Sequence, residues 1–136
     1  MAAEGVLIVD DNPANLKLAR VVLRGEGYDL RTATDAEDAL EVLKTFQPRL
    51  ILMDVQLPGM DGLELTRRLR TDPAMAGTLI IGLTAYAMKG DEERVLAAGC
   101  DGYVAKPIDT RELPAVVAEY LRQGRRPAPS AETEGH

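Results

Sequence analysis

"VLIVDDNPANL", residues 6–16, is the stretch that decides the fold. Four apolar residues, Val6 to Val9, read as a strand buried on both faces. The run stops at two adjacent carboxylates, Asp10 and Asp11, and Asn12 and Pro13 then open an amphipathic segment. Pro13 suits a first helical turn, where its missing N–H costs nothing, with Asp11 or Asn12 as the cap. Neighbouring like charges repel, so a pair of acids at a buried strand's end calls for more than capping.

Four further apolar runs lie downstream: "YDLRTA" (28–33), "LILM" (50–53), "TLIIGL" (78–83) and "GYVA" (102–105). Amphipathic stretches separate them. The first puts Leu16, Ala19, Val22 and Leu23 on one helical face; the second groups Ala36, Ala39, Leu40 and Leu43 behind a cap at Asp35. "DGLELTRRLR" (61–70), "DEERVLAAG" (91–99) and "DTRELPAVVAEYL" (109–121) read as three more helices, with Pro114 in the first turns of the last. Strand and helix alternate five times. The pattern predicts an α/β domain with a doubly wound parallel sheet, covered on both sides and joined by right-handed crossovers. Residues 1–121 form this domain. From Arg122 the chain turns rich in Pro, Gly, Ala and charge, and 122–136 reads as a disordered tail.

The chain has 136 residues, 46% hydrophobic and 28% charged, which fits one globular domain. Its net charge of −6 and the absence of a prominent basic run argue against nucleic acid. "RRLR" (67–70) reads as a solvated helix face. No apolar run spans a bilayer and no signal peptide is evident, so no membrane partner is expected. The single Cys100 forbids an internal disulfide, fits a reducing cytoplasm and reads as a small packing residue. The only histidine, His136, is the last residue, which excludes histidine chemistry in the body.

Ligands of open α/β sheets bind beyond the carboxyl ends of the strands, where strand order reverses. Asp10 and Asp11 follow the first strand, and Asp54 follows the third. If these strands are neighbours, three carboxylates converge, and a cation must neutralise them. Oxygen ligands point to Mg2+, which commonly also holds a phosphate. Thr84 ends the fourth strand and Lys106, followed by Pro107, ends the fifth. The rim therefore offers a metal cage, a nucleophilic carboxylate, a hydroxyl and a phosphate-binding ammonium. Singly, each has a plain reading: Asp11 as a helix cap, Asp54 as turn chemistry, Thr84 as a strand end, Lys106 as a solvated charge. Their shared position on one edge is the signal.

The pieces "VDD" (9–11), "MDVQLPGMDG" (53–62), "LTA" (83–85) and "GYVAKP" (102–107) resemble the receiver domain of bacterial two-component response regulators. The resemblance covers residues 5 to about 121, and it is nearest to single-domain regulators of the DivK type and to receivers of hybrid histidine kinases. It implies a flavodoxin-like fold with strand order 2-1-3-4-5. It implies Asp54 as phosphoacceptor; Asp10, Asp11, Asp54 and the Gln56 backbone carbonyl as Mg2+ ligands; and Thr84 and Lys106 on the phosphoryl oxygens. Tyr103 would be the aromatic switch coupled to Thr84, Lys106–Pro107 a cis peptide, and Gln56 and Tyr86 the residues that set dephosphorylation. The chain would be no conventional enzyme, but a switch that catalyses its own phosphorylation and dephosphorylation. Its partners would be a histidine kinase or phosphotransfer protein and a downstream protein effector, because the residues after the fifth helix are too few to fold alone.

Two other chemistries fit less well. A haloacid-dehalogenase-like phosphatase needs D-x-D, and here Asp54-Val55-Gln56 lacks the second acid. A flavin site needs a Ser/Thr-rich phosphate loop and aromatics for the ring; "DDNPAN" repels phosphate, and the chain has one Phe, four Tyr and no Trp.

Overall fold

A computed structural model describes residues 4–85 and 89–124, with the side chains of 89–91 left out. Strands β1 (Gly5–Val9), β2 (Asp29–Ala33), β3 (Leu50–Asp54), β4 (Leu79–Thr84) and β5 (Gly102–Ala105) form one sheet. They are parallel throughout, in the order β2-β1-β3-β4-β5. Helices α1 (Pro13–Arg24), α2 (Ala36–Leu43), α3 (Gly62–Arg70), α4 (Lys89–Ala97) and α5 (Leu113–Gln123) connect and follow them. The doubly wound parallel sheet expected from the alternation is the observed one.

Alternate residues of the central strands sort into two cores. Leu7, Val9, Ile51 and Met53 pack with α2, α3 and α4; Val6, Ile8, Leu50 and Leu52 pack with α1 and α5. Each fully buried aliphatic side chain contributes about 1.5–3 kcal/mol, so β1 and β3 are the energetic spine of the domain. β2 differs from the strands buried on both faces. It is an edge strand with Asp29 and Arg31 exposed, and Arg31 pairs with Asp29 at 3.2 Å while lying 4.5 Å over the Phe46 ring.

Local sequence sets the helix starts. Asn12, not Asp11, caps α1, accepting from the N–H groups of Ala14 and Asn15; Asp35 caps α2 and Asp61 caps α3. A short 3-10 turn at Pro73–Met75, capped by Asp72, was absent from the sequence reading. α5 runs to Gln123, two residues into the stretch read as tail; 125–136 lie outside the described residues. Cys100 is buried, and burial pushes its thiol up to about 11, as suits a packing residue. "RRLR" needs a correction. Arg67 and Arg68 are exposed, but Arg70 turns inward to Asp101 at 2.7 Å. Among the described residues no helix is long and apolar enough to cross a membrane.

Candidate functional site

β1 and β3 are neighbours, so their carboxyl ends lie side by side: Val9 pairs with Met53, and Asp10 and Asp54 follow on the same edge. Carboxylate oxygens of Asp10, Asp11 and Asp54 lie within 4.8 Å of one another. Asp10 is fully buried, Asp54 is 3% exposed and Asp11 is open to solvent. β5 brings in the cation. Lys106 Nζ lies 3.0 Å from Asp54 Oδ2 and 3.3 Å from Asp10 Oδ2. The Lys106–Pro107 peptide is cis, and the Lys106 backbone N–H donates to the Thr84 carbonyl at 2.8 Å.

The backbone fixes the acids further. The Gln56 N–H donates to Asp54 Oδ1 at 3.0 Å, and the Asn12 N–H to Asp10 Oδ1 at 2.9 Å. Gly62 lets the loop after β3 close: a Cβ there would sit 1.9 Å from the Asp54 carbonyl oxygen. Asn15 Nδ2 reaches Asp10 Oδ2 at 3.2 Å. Sequence reading missed Asn15; its position in "DDNPAN", on the first turn after the acids, was the available signal.

Burial pushes the Asp54 carboxyl up, and the charge of Asp10 adds to this; the Gln56 N–H and the hydrogen bond and charge of Lys106 pull the other way without winning. For Lys106, burial favours the neutral amine, but the hydrogen bonds and charges of Asp54 and Asp10 outweigh it, and the ammonium is held above its ordinary value. Among the described residues the cluster is thus one ammonium on two buried carboxylates, with a third, exposed, beside them. All its donors are hard oxygens, two of the three acids are withdrawn from water, and one faces an opening. That donor set suits Mg2+.

Thr84 is buried at the end of β4, beside a cavity of about 320 Å³ lined by Val55, Gln56, Asp61, Arg94 and others. Tyr103 sits on β5 opposite Gly82, two residues before the partner of Thr84, so both side chains belong to the α4 face of the sheet. Tyr103 is half-buried against that core. Interaction with Glu92 of α4 raises the phenol's pKa above its ordinary value. Gly82 lets α4 approach: a Cβ there would lie 2.9 Å from Val95 Cγ1. Tyr86 lies outside the described residues.

The response regulator receiver domain model matches residues 6–118. The polar-differentiation response regulator DivK of Brucella anthropi is 40% identical over 118 residues, covering 87% of this chain and 96% of that one. A putative response regulator from Chloroflexus aurantiacus superposes with a TM-score of 0.82 at 36% identity, over 88% of this chain and 98% of that one. The receiver domain of a sensor histidine kinase from Pseudomonas aeruginosa, with a magnesium ion coordinated in its active-site cleft, superposes with a TM-score of 0.80 at 35% identity, over 89% and 99%. The chain belongs to the response regulator receiver family of two-component systems, whose members act as phosphoacceptor switches.

Proposed function

We propose that this receiver accepts a phosphoryl group on Asp54 from the phosphohistidine of a kinase or phosphotransfer protein and relays the change to a partner protein. The observation that carries this reading is the Asp54 carboxylate: buried at a strand end, held at both oxygens, and grouped with Asp10, Asp11 and Lys106. In the transfer an Asp54 oxygen bonds to phosphorus as the donor's N–P bond breaks. The electron pair leaves with the imidazole nitrogen, which takes a proton from solvent. Mg2+ held by Asp10, Asp11, Asp54 and the Gln56 backbone carbonyl would neutralise charge on the phosphoryl oxygens. Lys106, already on Asp54 and firmly protonated, offers those oxygens a second positive charge, and Thr84 offers its hydroxyl.

The exposed face of α1 offers the donor a landing surface. α1 starts three residues past Asp10 and exposes Leu18 and Val21 beside Lys17, Arg20 and Arg24, with no acid in the helix. On a chain of net charge −6, this favours an acidic, apolar-centred surface on the donor. For output, a phosphoryl group at Asp54 draws Thr84 toward it, and Tyr103, on the same face, shifts with the space this opens. A partner need only bind one Tyr103 arrangement better than the other.

The test uses acetyl phosphate with and without Mg2+, read by intact mass. Wild type is expected to gain the mass of one phosphoryl group only with Mg2+, which without a kinase also shows that the chain's own residues carry the chemistry. Asp54→Ala is expected to gain none, and labelling of that variant overturns the assignment of Asp54.

A further inference from the structure

The Asp10 carboxylate is fully buried, so its orientation is set by its hydrogen-bond partners rather than by water. Oδ1 takes the Asn12 N–H; Oδ2 takes the Asn15 side-chain amide and the Lys106 ammonium. A carboxylate only accepts, so the amide nitrogen of Asn15 is the atom that faces it. These partners are not equivalent. Lys106 divides its charge between Asp10 and Asp54 from a long flexible stem, and a bound anion would compete for it. The Asn12 N–H holds the other oxygen. Among the described residues, Asn15 is thus the side-chain partner of Asp10 Oδ2 that no other carboxylate shares.

Asn15 is itself well placed. It lies in the first turn of α1, whose cap Asn12 accepts from Ala14 N at 2.8 Å and from Asn15 N at 3.4 Å. One continuous piece, Asp10 to Asn15, therefore carries the acid, the helix cap and the amide that steadies the acid. The neutral amide also suits the charge problem: a cationic side chain would oppose an incoming metal, and an acidic one would repel Asp10.

We infer that Asn15 is a positioning residue for the metal site, holding Asp10 Oδ2 ready for a divalent cation. This rests on the reading of the acidic cluster as a Mg2+ site. Partners that orient a metal ligand typically govern affinity by about tenfold or more.

The experiment titrates metal-free wild type, Asn15→Ala and Asn15→Leu with Mg2+, following backbone amide signals of residues 10–16 and 54–57 by NMR, and records melting of each metal-free protein. Both variants are expected to bind Mg2+ about tenfold more weakly, while metal-free melting stays within about 3 °C of wild type. Leu keeps the volume and loses the donor, so equal losses identify the hydrogen bond. Unchanged affinity overturns the inference. So does weakening in the alanine variant alone, which would mean packing, or a fall in melting that tracks the affinity, which would mean that Asn15 merely secures α1. Absence of any Mg2+ response in wild type overturns the metal reading itself.

Discussion

At the amino-terminal edge of the sheet Arg70 meets Asp101; at the carboxyl edge Lys106 meets Asp10 and Asp54. Both clusters are withdrawn from water, and their surroundings differ. Arg70 donates to the carbonyls of Gly99, Met75 and Thr78 as well as to Asp101, and Asp101 also accepts the Ile80 N–H at 2.9 Å. The planar fork of the guanidinium is filled by fixed partners, with Asp101 as its carboxylate. That cluster ties the end of α3, the 3-10 turn, β4, the end of α4 and the start of β5 together. At the other edge, among the described residues, one ammonium serves two carboxylates, with Asp11 beside them as a third. A satisfied ion pair is mortar, and an unsatisfied one is a place for chemistry.

This contrast predicts that losing each cation has a different consequence. Lys106→Ala is expected to slow phosphorylation by acetyl phosphate about 100-fold, as loss of a charge-stabilising donor typically does. Arg70→Ala is expected to leave that rate unchanged at a temperature where the variant is folded. It should cost about 3 kcal/mol in urea unfolding, because the half-buried Asp101 would lose its ion pair with Arg70. Equal slowing in the Arg70 variant would break the comparison and show that the two edges are coupled. The next effect is smaller. Asp11→Ala is expected to lose Mg2+ binding by about tenfold or more, read by NMR titration, while its metal-free form melts no lower than wild type. A lower melting point would make Asp11 a structural acid.

The sequence displayed the site more clearly than the mortar. A strand buried on both faces has a sharp apolar end, so Asp10, Asp54 and Thr84 stand out where the runs of β1, β3 and β4 stop, and Lys106 where the shorter apolar run of the edge strand β5 stops. The five alternations then bring those ends to one edge. Arg70 was hidden for the converse reason. In "RRLR" it looks like its solvated neighbours, and its partner Asp101 lies 31 residues away. Only Thr66, buried one turn earlier on the same helix face, hints that Arg70 points inward. Asn15 had only its place one turn after the acids to mark it, and whether its amide reaches Asp10 depends on how the first turn of α1 sits over that acid. The 3-10 turn was legible in principle, since Asp72-Pro73 is a cap followed by a helix starter.

The smallest effect probes the charge imbalance itself. Burial, aided by Asp10, raises the Asp54 carboxyl above the ordinary aspartate value. The folded state then holds that proton more tightly than the unfolded chain does. Stability therefore falls as pH rises from the unfolded pKa through the folded one. Asp54→Asn keeps the shape and removes the charge. Without Mg2+ at pH 7 it is expected to melt a few degrees above wild type, and the gap should close as the pH drops below the folded pKa of Asp54. Added Mg2+ should narrow the gap from the other side, by stabilising wild type alone. Asp101→Asn, at the satisfied edge, is expected to melt below wild type at neutral pH, since it strips Arg70 of its counter-ion. Thermal melts of the three proteins across pH decide the matter. If Asp54→Asn melts no higher than wild type at pH 7, Lys106 already balances its carboxylates, and the two edges differ in position but not in electrostatic character.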